Sequence, residues 1–239
     1  MANATINGSG NIDGGKFDNI TVNGSANCQN NLEAGEIKIN GAFKCNGNIK
    51  CNYMNCDGSA RFSAGVDINI LHCDGSMIST GNEPVKINQI NCDGAAKFSS
   101  DVITNVIDTD GSFTLLDNCN LKADKIFCDG SIIVNGNIDT DFLNADGFVF
   151  ARNITSKKLY IRTIITSIAK KILTRRKDTA IDSIISDEIE LINVQAVNVT
   201  GKDITIGPKC RIEHLECNGT LHIDEKAEVL EITGNYVTK

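Results

Sequence analysis

The sequence predicts an all-β chain wound as a parallel β-helix, with three short strands in each turn of about 17 residues. Three observations predict it. The composition pairs 33 Ile with 28 Asn and 21 Gly, the partnership of strands with tight turns, in a chain of 239 residues without Trp. An Asn-Gly or Asp-Gly pair recurs, with Gly at 8, 24, 41, 58, 75, 94, 111, 130 and 147. Apolar side chains repeat in phase with those glycines on a period of two.

Each predicted strand follows from that phase. Two residues before the Gly stand Ile6, Val22, Ile39, Cys56, Cys73 and their successors, and four before it stand Ile20, Ile37, Met54, Leu71 and Ile90. This is the first inward pair. Ala26/Cys28, Phe43/Cys45 and Ala60/Phe62 form the second, two and four residues after the Gly. The third lies at Ile49/Cys51 and Val66/Ile68, and it slips by two residues in the longer turns, to Val85/Ile87 and Leu121/Ala123. A two-residue slip keeps the pleat in register, whereas a slip of one would turn the strand inside out. Intervening residues such as Lys38, Asn55, His72, Asn91 and Asp108 are mostly polar and are predicted to face solvent. The Asn-Gly and Asp-Gly corners are read as tight turns that need a positive φ.

The pattern divides the chain into repeats over 1–150, a basic insertion over 151–180, and looser β-helix turns over 181–239. Residues 147–177 hold nine Lys/Arg and no acid, although the whole chain carries a net charge of −7. Ile164, Ile165, Ile168, Ala169, Ile172 and Leu173 recur as they would on one half of a helix surface, with Lys170, Lys171, Arg175 and Arg176 beside them. A strand pair is the alternative, because the Ile content is high for a helix. An apolar face flanked by Lys/Arg suits an anionic membrane surface better than nucleic acid, which needs no such face. An inert solvated insertion is the plainer reading.

No chemistry is assembled by the motifs. The chain holds no G-x-S-x-G, H-E-x-x-H or P-loop sequence, and His72, His214 and His222 do not share a repeat position. The reading is therefore a non-enzyme with no cofactor, no metal and no nucleic-acid partner. The ten Cys lack C-x-x-C spacing, and most occupy inward positions, where a thiol packs as a small hydrophobe. A column of six carboxylates, Asp57, Asp74, Asp93, Asp110, Asp129 and Asp146, is read first as turn chemistry and second as a line of cation sites. No signal peptide or bilayer-spanning run is visible, which predicts a cytoplasmic protein with reduced thiols, peripheral at the inner face of the cell membrane through its basic segment.

A β-helix is an open stack, and its first and last turns expose strand edges unless something covers them. The repeat starts by Ile6 and alternation persists to Ile232, so Ile6, Ile12, Val229 and Ile232 are the predicted contacts between copies of the chain. Self-assembly end to end is the expected function, with client proteins unspecified. A monomeric binding or adhesion rod and a hexapeptide-repeat acyltransferase are the alternatives; the latter needs an 18-residue turn and a catalytic His.

The 17-residue turns with [ND]-G-[SA], the basic interruption, and the closing run from Val199 through Ile206-Gly-Pro-Lys-Cys-Arg-Ile212 to Val229 resemble the bactofilins, the polymer-forming cytoskeletal proteins of Gram-positive type. The resemblance covers nearly the whole chain. It implies a right-handed β-helix that stacks into non-polar, nucleotide-independent filaments, often at the membrane, without catalytic residues. Many bactofilins add Pro-rich tails or a short apolar N-terminal motif, neither of which is visible here, so membrane contact is expected from residues 161–176.

Overall fold

A computed structural model describes residues 2–163 and 181–238. Among these the chain is all β, and its strands stack as a solenoid of two parallel sheets, one of 16 strands and one of nine. One coil shows the design. Ile49–Cys56 is an eight-residue strand of the long sheet, and Ser59–Phe62 is a four-residue strand of the short one. Ile49 and Cys51 point inward, Asn52 and Tyr53 are both turned outward, and Met54 and Cys56 point inward again. Two consecutive outward residues break strict alternation, and this is where the strand bends. The three predicted strands are therefore present as three inward pairs, two of which share one bent strand.

Register confirms the phase read from the sequence. Met54 lies over Leu71 and Cys56 over Cys73, while in the next coil Leu71 lies over Ile90. Two longer coils absorb their extra residues at the corners spanning 80–84 and 116–120, outside both sheets, so no inward side chain changes face. Asp117, at φ 52°, helps the second of these corners to turn. The interior is one continuous cluster from Ile12 to Leu221, with Phe43, Phe62, Phe98 and Phe113 among its largest side chains.

The corner glycines carry a correction. None of the nine that set the repeat, Gly8, Gly24, Gly41, Gly58, Gly75, Gly94, Gly111, Gly130 and Gly147, has a positive φ. They are required by stacking. A Cβ placed on Gly75 would lie 2.0 Å from the carbonyl oxygen of Gly58, and the same clash recurs at 1.9–2.3 Å from Gly24 to Gly147. The close approach is held by peptide hydrogen bonds: the N–H groups of Asp74 and Gly75 both donate to Cys56 O, at 3.1 and 2.8 Å, and Ser76 N–H donates to Gly58 O at 2.8 Å. Gly8 lies in the first coil and would meet nothing within 4 Å.

The coils do not end at residue 150. Asn153–Arg162 pairs in parallel with Asn137–Ala145 on one side and with Ile181–Ile192 on the other. The C-terminal coils therefore continue the same long sheet, with Ile184 over Val199, Val199 over Leu215 and Leu215 over Ile232. The sequence-predicted helix carrying Ile164, Ile165, Ile168, Lys170, Lys171, Ile172, Leu173, Arg175 and Arg176 lies outside the described residues.

Candidate assembly interface

The two ends of the solenoid present different surfaces. At the first coil, Ala2–Ile6 closes the long sheet and Ser9–Ile12 closes the short one; each pairs with a neighbour on one side only. Ile6 is half-buried against the core, and Ile12 is only 5% exposed. Ile12 is already covered within its own chain, stacked over Cys28. At the last coil, Glu228–Thr233 is the terminal strand of the long sheet. Val229 packs against the core, but Ile232 is 37% exposed, Leu230 61% and Val237 71%. The exposed apolar surface is thus concentrated at the C-terminal coil. Leu230 escaped sequence reasoning because its phase is outward, between the inward Val229 and Ile232, and Val237 because it lies past the end of the alternation.

Charge also distinguishes the ends. Residues 2–14 include one charged side chain, Asp13. The last coil is tied to its neighbour by Arg211–Glu228 at 3.8 Å and His214–Glu231 at 2.8 Å, both exposed.

Columns of like side chains run along the outside. Asn23 Nδ2 donates to Asn7 Oδ1 at 2.8 Å and Asn40 Nδ2 to Asn23 Oδ1 at 2.7 Å, an amide ladder that becomes the aspartate column from Asp57 onward. Desolvation raises the pKa of the neighbouring Asp108, with further increments from Asp110, Asp129 and Asp93. Among the described residues no group of three or more His, Cys, Asp or Glu is placed to hold a metal ion. On the next face Phe127, Phe142 and Tyr160 stack with ring centroids 5.6 and 5.8 Å apart. Ile133, Phe148 and Phe150 have outward phase yet are 5–9% exposed, and they form a second small apolar cluster.

The titratable groups are dispersed. His72 stacks on Tyr53 at 5.4 Å and contacts Asn91 at 3.1 Å. Tyr160, Glu188, Asp203, Thr220 and His222 line a shallow outer groove of about 330 Å³. There Glu188 is held by Lys158 at 2.8 Å and by the Tyr160 hydroxyl, so its carboxyl stays below the usual range, and Asp203 accepts from the Thr220 hydroxyl. All ten cysteines are free thiols, nine of them buried and Cys119 half-buried. Burial pushes Cys45, Cys51 and Cys128 up to about 12, which suppresses thiolate chemistry at neutral pH while the coils stay closed.

The fold class is that of a parallel β-solenoid, whose distinctive surfaces are its end coils and its outer columns. Comparison of the chain with protein-family models, with curated proteins and with solved structures finds no match. Among the described residues no helix is long and apolar enough to cross a membrane.

Proposed function

We propose that the chain is a structural, cytoskeleton-like protein that stacks end to end into filaments without nucleotide, the behaviour that its resemblance to the bactofilins implies. One observation carries the reading. Among the described residues the long sheet terminates in edge strands at both ends, and the final coil leaves Leu230, Ile232 and Val237 exposed beside a row of backbone donors and acceptors that no described strand fills. Such an edge is a template for another strand, and a second copy supplies one of matched rise. The half-buried Ile6 at the other end offers an apolar counterpart. The basic segment containing Ile164, Ile168, Lys170 and Arg175 is the proposed contact with anionic lipid, placing the polymer at the cytoplasmic face of a membrane.

Negative-stain electron microscopy of the purified chain without nucleotide, paired with sedimentation, tests the assembly. Filaments are expected. A monodisperse monomer across salt and protein concentration would overturn the reading in favour of a binding rod. Vesicle flotation tests the membrane contact: deletion of residues 164–176 is expected to abolish binding to anionic vesicles while leaving assembly intact, and equal binding by the deletion variant removes that role.

A further inference from the structure

The inward thiols are arranged in pairs across adjacent coils, a placement that packing alone does not require. Among the described residues three register positions put Cys directly over Cys: Cys28 over Cys45, Cys56 over Cys73, and Cys73 over Cys92. Adjacent strands of a sheet lie about 4.8 Å apart, which falls inside the ~4.4–6.8 Å between Cα atoms that a disulfide spans. Side-chain placement agrees. The Cys28 and Cys45 sulfurs both approach one carbonyl oxygen, that of Asn30, at 3.1 and 3.9 Å. Cys56, Cys73 and Cys92 follow one another in register down the column, and each donates to a carbonyl of a later coil. The other cysteines lack this relation: Cys51 lies between Ala34 and Ile68, and Cys128 between Thr109 and Ala145.

The geometry points to these pairs as sites of coil-to-coil disulfide formation with a small disulfide oxidant, Cys28–Cys45 reacting first. The step is ordinary thiol–disulfide exchange. When the end coils open, the thiolate of Cys28 attacks one sulfur of oxidised glutathione, forming a mixed disulfide and expelling one glutathione thiolate. Cys45 then loses its proton and attacks Cys28 Sγ in that mixed disulfide, expelling the second glutathione thiolate. Two protein thiols become one disulfide, one glutathione disulfide becomes two thiols, and the two protons pass to them. Cys28–Cys45 leads because it lies nearest the N-terminal end, and open stacks fray from their ends. In the Cys56–Cys73–Cys92 column only one bond can form, leaving one thiol. Each bond ties consecutive coils together covalently and limits unwinding from the end.

The test uses the full chain, incubated with oxidised glutathione just below its unfolding transition, then digested without reductant for mass spectrometry. The expected product is a Cys28–Cys45 cross-linked peptide, lighter by two hydrogens, appearing before any link among Cys56, Cys73 and Cys92. Cys119, half-buried and outside the strand register, should carry only a glutathione adduct. In Cys45→Ala the Cys28 adduct should accumulate unresolved, and the oxidised wild type should melt several degrees higher than the reduced form. Three results would each overturn the proposal. They are a persistent Cys28 adduct with Cys45 present, cross-links involving Cys51 or Cys119, and no cross-link once Cys119 is fully modified.

Discussion

The N-terminal coils and the C-terminal coils solve the same stacking problem by different means. Up to Gly147 the corners rely on backbone contact, with each glycine seated against the carbonyl of the one before it. Beyond residue 181 the glycine-on-glycine column is gone: Gly201 would meet Ser186 O at 2.5 Å, Gly219 would meet Lys202 O at 2.7 Å and Gly234 would meet Cys217 O at 2.1 Å, with no glycine beneath any of them. Outward ion pairs between coils, rare in the N-terminal block where Lys16–Glu33 is one, become frequent from Lys158–Glu188 onward and include Lys202–Asp187 and Arg211–Glu228. A backbone corner tolerates no side chain, whereas a charged ladder tolerates many. This is why the repeat is sharp in one region and blurred in the other, although the sheet runs through both.

The sharpest way to break this comparison is at a corner glycine. Gly75→Ala forces a Cβ onto the Gly58 oxygen at 2.0 Å and leaves only backbone displacement as relief. We expect a loss of about 4 kcal/mol or outright failure to fold. Gly8→Ala, with nothing within 4 Å, should change stability by less than about 0.5 kcal/mol. Urea unfolding of the two variants decides the matter: equal effects would mean that the glycines serve conformation rather than stacking. Next in size is Phe98→Ala. This ring is fully buried and meets Phe113 at 5.4 Å, so its removal should cost roughly 3–5 kcal/mol, read from the same experiment.

The ends give a contrast in assembly rather than stability. Ile12→Lys would bury a charge at a site only 5% exposed, so it would disturb the first coil before it tested docking. Leu230→Asp and Val237→Lys alter exposed side chains of the last coil. Filament mass in sedimentation should fall at least tenfold in the double variant, while its urea midpoint should stay near that of the wild type. Filaments that persist would place the contact elsewhere.

Much of this was legible because a parallel stack writes its register into the sequence. The inward pairs, the two-residue slips at Val85 and Leu121, and the return of the pattern after 181 all follow from pleat parity, and the structure buries Val85, Leu121, Val199 and Leu215. The reason for glycine at each corner was not legible. Its φ is a local property, but the clash is with a residue one coil away, and composition cannot separate the two causes. Phe148 and Phe150 show the same limit. Their phase is outward, yet they are buried, because burial depends on what lies over a face as well as on which face a residue takes. Leu230 was passed over because its phase is outward, and Val237 for want of any repeat to set it against.

The smallest expected effect concerns the carboxylates beside the corner column. Asp108 has a folded-state pKa raised above its usual 3.8, first by desolvation and then by Asp110, Asp129 and Asp93. A raised carboxyl pKa means that ionisation is harder in the folded chain than in the unfolded one. The cost is absent below pH 3.8, where both states hold the proton, and it is fully present once pH exceeds the folded value. Asp108→Asn should therefore stabilise the chain at pH 7, by a few tenths of a kcal/mol because solvent screens so exposed a group. The advantage should vanish on acidification through pH 4 to 3. Urea midpoints of the two proteins across that range make the comparison, and a gain independent of pH would assign the effect to packing rather than to charge. In the N-terminal coils, where neutral Asn7, Asn23 and Asn40 occupy the corner and hydrogen-bond to one another, no such dependence is expected from the equivalent positions.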